Sequence, residues 1–176
     1  VMNTIADINR TKWDNSTGVT YIQICSQEEH AAVDRSVDAI VHTVAVPEVS
    51  SHQTLRRDLH QAFYTHESKL LELNTALRRA SGHLADYGRL YSSFERVHLS
   101  ILTTADDPMN VLIPEITLLA EYIFAQSFKS VQMDLYVLMS ESDQAAQFGY
   151  RSATSVAFMR ELDYIQSPAY AFTAPL

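Results

Sequence analysis

The sequence predicts an all-α protein: a helical bundle of four main helices, with a long central helix that is kinked or folded into a helical hairpin, and short C-terminal helices. Three patterns carry this prediction. Apolar residues recur at every third or fourth position from Leu55 to Ile101, the spacing of a coiled-coil seam. Ser26 and Glu29 form a capping box ahead of a stripe of Val and Ile, which marks a helix start. Apolar residues from Ile116 to Met139 cover more than one face, as a helix shielded by neighbours on several sides requires.

Taken in order, residues 1–25 read as an N-terminal arm. Ile5, Ile8 and Trp13 suit a short helix, and Asp14-Asn15-Ser16-Thr17-Gly18 reads as a turn. Val19 to Cys25 leans towards β structure through Val19, Tyr21, Ile22 and Ile24. A lone strand has no sheet, so this stretch is read as a segment packed on helices in preference to a strand shared with a second copy. The next helix spans 26–45, with Val33, Val37, Ile40, Val41 and Val44 at helical spacing until Pro47. Its acids Glu28, Glu29, Asp34 and Asp38 fall opposite that stripe.

The segment 52–104 reads as one long helix or a hairpin. Its seam runs through Leu55, Leu59, Leu70, Leu73, Leu77, Leu84, Tyr87, Tyr91, His98 and Ile101, with a four-four stutter at His66. Ser81-Gly82 is the candidate turn, helped by Gly88, although the phase running through it favours a continuous, bent helix. Thr104 to Pro108 breaks the pattern. A central helix over 114–139 follows, with Pro114 suited to its first turn. Residues 142–166 read as short helices, Asp143 to Phe148 and Ser152 to Tyr164, separated by Gly149.

A chain of 176 residues with 47% hydrophobic and 19% charged residues is composed like one compact domain. Its net charge of −8 opposes nonspecific binding to phosphate backbones or anionic lipid. The middle third, 51–104, is the basic part, carrying +2 between flanks of −4 and −6. The single Cys25 leaves no intrachain disulfide to form, so a cytoplasmic setting is the default expectation. No run of about 18 apolar residues is present to span a membrane.

Chemistry-bearing patterns are sparse. The seven histidines include no two at helical ligand spacing, and Glu95 to His98 is half of a paired Glu-x-x-His motif without its counterpart. His66 and His98 on the apolar seam read as core or interface groups. No metal site and no cofactor is therefore expected. Four scattered glycines form neither a Walker A loop nor a dinucleotide turn, and Cys25 beside Ile24 reads as a small hydrophobe. Asp106-Asp107 and Glu28-Glu29 read as capping acids at a turn and a helix start.

Asp143 to Ser152, followed by Val156, Phe158 and Leu162, has the layout of a helix-turn-helix. Gly149-Tyr150-Arg151-Ser152 and the later Ser167-Pro168 are similar to the end of AraC-type DNA-binding regions. The segment departs from that pattern at Phe158, Arg160 and Ile165. The resemblance implies a DNA-binding regulator contacting nucleic acid through Arg151, Ser152 and Arg160. Only two basic residues follow Ser140, against Glu141, Asp143, Glu161 and Asp163, so nucleic acid is a disfavoured partner. A third reading is a ligand-sensing helical domain with a pocket among Tyr64, Tyr87, Tyr91, Phe94, Tyr122 and Tyr136.

The preferred expectation is a noncatalytic protein-interaction or regulatory module, such as an adaptor, inhibitor, chaperone or assembly subunit. It would act on a protein partner through its apolar seam and form a homodimer there, with Leu70, Leu73, Leu77, Leu84, Tyr87 and Tyr91 at the interface.

Overall fold

The computed structural model describes residues 2–26, 39–44, 51, 53–90, 95–139 and 148–172. Helix α1 (Met2–Lys12) leads to strand β1 (Tyr21–Ser26), which pairs in parallel with β2 (Ala39–Val44). Helices α2 (Leu55–Thr65) and α3 (Glu67–Leu90) precede β3 (Arg96–Thr104). A 3-10 turn, η1 (Pro108–Leu112), and helix α4 (Ile113–Phe124) cross to β4 (Ser130–Leu138), which lies parallel to β3. Helix α5 (Phe148–Ile165) completes the order.

The fold is thus mixed α/β, with two two-stranded parallel sheets among the described residues. This corrects the all-α, helical-bundle and coiled-coil expectations. Three segments read as helix are strands. His98 and Ile101 have helical spacing, but β3 sends them to opposite faces: Val97, Leu99, Ile101 and Thr103 point inward, while Arg96, His98, Ser100, Leu102 and Thr104 are exposed. That alternation is the period-two signature of a strand. In β4 the same holds for Val131, Met133, Leu135 and Val137 against exposed Gln132, Tyr136 and Leu138. The predicted helix 114–139 therefore ends at Phe124. Likewise Ala39–Val44, rich in β-branched residues, pairs with β1 from Tyr21↔Ala39 to Ser26↔Val44, and Ser26 ends a strand where a helix cap was expected. The remainder of that predicted helix lies outside the described residues.

The long seam also divides differently. It breaks at His66, where the stutter lies. The His66 N–H bonds the Ala62 carbonyl, while its own carbonyl accepts from Lys69 and Leu70 to open α3. Ser81 and Gly82 sit inside α3, neither a turn nor a hairpin, and Gly82 keeps a negative φ. Gly149, where a break between two short C-terminal helices was expected, lies in the first turn of α5. The expected helix from Asp143 falls outside the described residues. Gly18 has a different role: a Cβ there would come within 2.8 Å of the Tyr87 ring, so the turn after α1 needs glycine to lie against α3.

One core unites the elements. Leu59 and Phe63 of α2, Leu73, Leu77 and Ala80 of α3, Val97 of β3, Leu112 of η1, and Ala120, Ile123 and Phe124 of α4 form it with Phe128. The Phe124 and Phe128 rings stack at 6.1 Å. Ile22, Ile24 and Ile40 bring the first sheet onto the same cluster.

Candidate functional site

The densest polar arrangement lies at the carboxyl end of β3, the position at which open α/β sheets gather functional groups. Helix α2 presents Arg56, His60 and Tyr64 at successive four-residue steps, so they share one face. That face meets the chain leaving β3. There the Ala105 N–H bonds the Leu138 carbonyl at 2.9 Å, and Asp107 caps η1 by accepting from the Met109 N–H at 2.8 Å.

Asn110, buried on η1, is the hub. Its Nδ2 donates to the Thr104 carbonyl at 3.2 Å and to the Ala105 carbonyl at 3.1 Å, and its Oδ1 accepts from Arg56. The other guanidinium arm of Arg56 reaches Glu161 on α5. Arg151, also on α5, pairs with Asp106. These contacts tie α5 to α2 and to the turn between β3 and η1.

Glu115, the third residue of α4, is buried near the positive end of that helix. Its Oε1 lies 2.7 Å from His60 Nε2 and accepts from the Tyr64 hydroxyl at 3.4 Å. Its Oε2 is buried without a hydrogen-bond partner among the described residues. The His60 and Tyr64 rings meet edge to face at 5.3 Å. An imidazole held by a carboxylate is the geometry of a general base, yet the hydroxyl beside it donates to the same carboxylate. Burial and the Glu115 charge push the Tyr64 hydroxyl up to about 12, so at neutral pH it is a donor and no nucleophile. Burial, then Glu115 and Tyr164, also raise Tyr170. Burial alone would raise the Asp106 carboxyl, but hydrogen bonds from Arg151 and Thr104 outweigh it and hold that group below its ordinary value.

The raised Tyr64 pKa sets a pH dependence. The neutral phenol is favoured in the folded state, so this contribution is complete below pH 10.0 and is lost as the pH rises through about 12. Alkaline unfolding followed at the peptide band should therefore begin above pH 10, and Tyr64→Phe should flatten the fall across that window. An identical alkaline limb in Tyr64→Phe would show that Tyr64 carries none of it.

The expected interface residues fall elsewhere than on an open seam. Leu73 is 0% and Leu77 4% exposed, both inside the chain's own core, with Leu70 and Leu84 packed against it. Tyr87 lies against Gly18, its hydroxyl 3.4 Å from Ser16 Oγ. Tyr91 and Phe94 lie outside the described residues. Of the resemblance-derived positions, Arg151 is tied to Asp106, Ser152 is half-buried, and Arg160 is exposed. Gly149 and Tyr150 are helical residues of α5, and the part of the expected helix-turn-helix before Phe148 lies outside the described residues. Of the residues expected to line a tyrosine pocket, Tyr64 faces Glu115, whereas Tyr122 and Tyr136 are exposed.

Sequence reasoning missed the Arg56, His60 and Tyr64 stripe. Its signal was the four-residue repeat of polar groups on a helix whose apolar face is Leu59 and Phe63. Two further surface features stand apart from this network. His98 Nε2 lies 2.6 Å from Asp134 Oδ2 on the exposed face of the β3–β4 sheet. A shallow depression of about 380 Å³ lies between Met139 and the Val156 and Met159 face of α5.

Among the described residues no three His, Cys, Asp or Glu side chains converge as a metal site, and no helix is long and apolar enough to cross a membrane. No protein-family model matches this chain, and no curated protein or solved structure matches it significantly.

Proposed function

We propose that this chain is a noncatalytic protein-interaction module, an adaptor or assembly subunit, and that its docking surface is the β3–β4 sheet in place of the helical seam expected from sequence. The observation that carries the reading is the open face of that sheet. Leu102 stands directly opposite Tyr136, and Thr104 opposite Leu138, with Leu102, Tyr136 and Leu138 each more than two-fifths exposed. Parallel strands are characteristically covered on both faces, and here, among the described residues, α4 and the core serve only one. A second polypeptide laid on the outer face would cover the apolar end of the sheet.

The polar network supports the same reading. Arg56, Arg151, His60 and Glu115, the groups a reaction or a phosphate would call on, are engaged in bonds that dock α2 and α5 onto the βαβ unit. A photo-crosslinking phenylalanine derivative at Tyr136, introduced into the full chain in cells, should give discrete higher-mass adducts. The same group at Tyr164, on α5, serves as the comparison. A Tyr136 adduct pattern no stronger than that at Tyr164 would remove the outer face as a docking surface.

A further inference from the structure

We infer that the edge of β3 left unpaired among the described residues pairs with β3 of a second copy of this chain, antiparallel and about a two-fold axis through Ser100, so that two two-stranded sheets become one of four strands. The inference rests on the proposed interaction role and adds to the outer face a second surface, the β3 edge, with a second copy of the chain as its partner.

Strand length is the first support. β3 and β4 are nine residues each, and among the described residues each pairs only with the other, without interruption from Arg96↔Ser130 to Thr104↔Leu138. Two strands are too few for a stable sheet on their own, whereas four lie in the common range. The β3 edge also lacks the devices that keep edges apart: it contains no Pro and no Lys, and its unbroken register leaves no bulge.

Charge selects β3 over β4. The chain carries −8, so most of its surface repels a second copy. β3 contains no acid, and its one formal charge, Arg96, stands at its end. β4 holds Asp134 at its centre, and self-pairing about that point would set two carboxylates face to face, which is destabilising.

Side-chain parity fits as well. A two-fold axis perpendicular to the sheet keeps inward residues inward. Centred on Ser100, it places Leu99 opposite the partner's Ile101 and Val97 opposite the partner's Thr103 on the inner face. On the outer face His98 meets the partner's Leu102, and no like charges oppose. Leu99 packs against the core of its own chain, whereas Ile101, two residues further on, is half-buried and outside that cluster. Pairing would cover it.

The test uses the full chain and its Ser100 variants. Ser100 is exposed, so Ser100→Lys leaves the monomer fold intact while setting two ammonium groups across the axis. Light scattering at low and high concentration should show a particle of twice 19.9 kDa whose dissociation constant rises at least tenfold in Ser100→Lys, with a melting temperature that is unchanged at concentrations low enough for both proteins to be monomeric. In a Cys25→Ala background, Ser100→Cys should form an intermolecular disulfide under mild oxidation, since directly opposed residues lie within disulfide reach. Ser130→Cys, at the start of β4, should not. A monomer at both concentrations overturns the inference. So does a dimer indifferent to Ser100→Lys and uncrosslinked through position 100, and in that case Tyr136 adducts would still uphold the interaction role. A β3 dimer without Tyr136 adducts would keep the pairing and remove the outer-face reading.

Discussion

Leu73→Ala is expected to lower the stability of the folded chain by about 3–5 kcal/mol. Leu73 is fully buried where α3 meets the rest of the core. Deleting most of its side chain loses the transfer free energy and leaves a cavity that the surrounding helices fill only in part. Leu71, two residues away on the same helix and 67% exposed, provides the control, and Leu71→Ala should change stability by less than about 0.5 kcal/mol. Urea unfolding followed by circular dichroism measures both. The comparison also separates two origins of the seam's apolar character. Truncating a core residue lowers stability by the same amount at any protein concentration, whereas truncating a residue at a subunit interface changes how the midpoint depends on concentration. A concentration-dependent loss for Leu73→Ala would place the seam between subunits and contradict the packing described above.

The second large effect is expected at Asn110. Asn110→Ala removes the donors to two carbonyls and the acceptor for Arg56 in one step, and should cost about 2–4 kcal/mol, since a buried polar group left without its partner bears its full desolvation penalty. Asn110→Asp should be comparably damaging, because a carboxylate has no N–H for the Thr104 and Ala105 carbonyls and offers them only repulsion. Hydrogen exchange adds a spatial readout. Arg56 links Asn110 to Glu161, so losing Asn110 should loosen α5 before α4. Uniform deprotection of all helices would show that the network gives α5 no local anchorage, and a loss below about 1 kcal/mol would show that Asn110 is no hub.

Several local features were legible from the residues themselves. The run Asp14-Asn15-Ser16-Thr17-Gly18 reads as a turn, and in the structure Asp14 and Asn15 adopt left-handed backbone angles at φ 51° and 53°, which Asp and Asn tolerate better than most residues. Pro114 does fall in the first turn of a helix, and Asp107 does cap one. Such signals depend on a residue's own geometry and its reach to neighbours two or three positions away. The polar site was not legible in that way. Arg56, His60 and Tyr64 share a helical face, but their partners Asn110, Glu115 and Glu161 stand more than fifty positions along the chain, and no local pattern pairs them.

By itself the sequence determined the turn from Asp14 to Gly18, the break before Pro108, the helix start near Pro114, and which apolar residues avoid water: Leu59, Leu73 and Leu77 belong to the apolar seam in the sequence and to the chain's own core in the structure. Only the tertiary structure decided between helix and strand over Ala39–Val44, Arg96–Thr104 and Ser130–Leu138. Short apolar runs satisfy both a three-to-four and a two-residue period, so His98 and Ile101 continue a helical seam while Val97, Leu99 and Ile101 alternate as a strand. What settled them was a partner strand at matching register, β1 for Ala39–Val44 and each other for β3 and β4. A strand exists by virtue of the hydrogen bonds it makes to another segment, whereas a helix closes its own, and the identity of that other segment is a property of the folded chain.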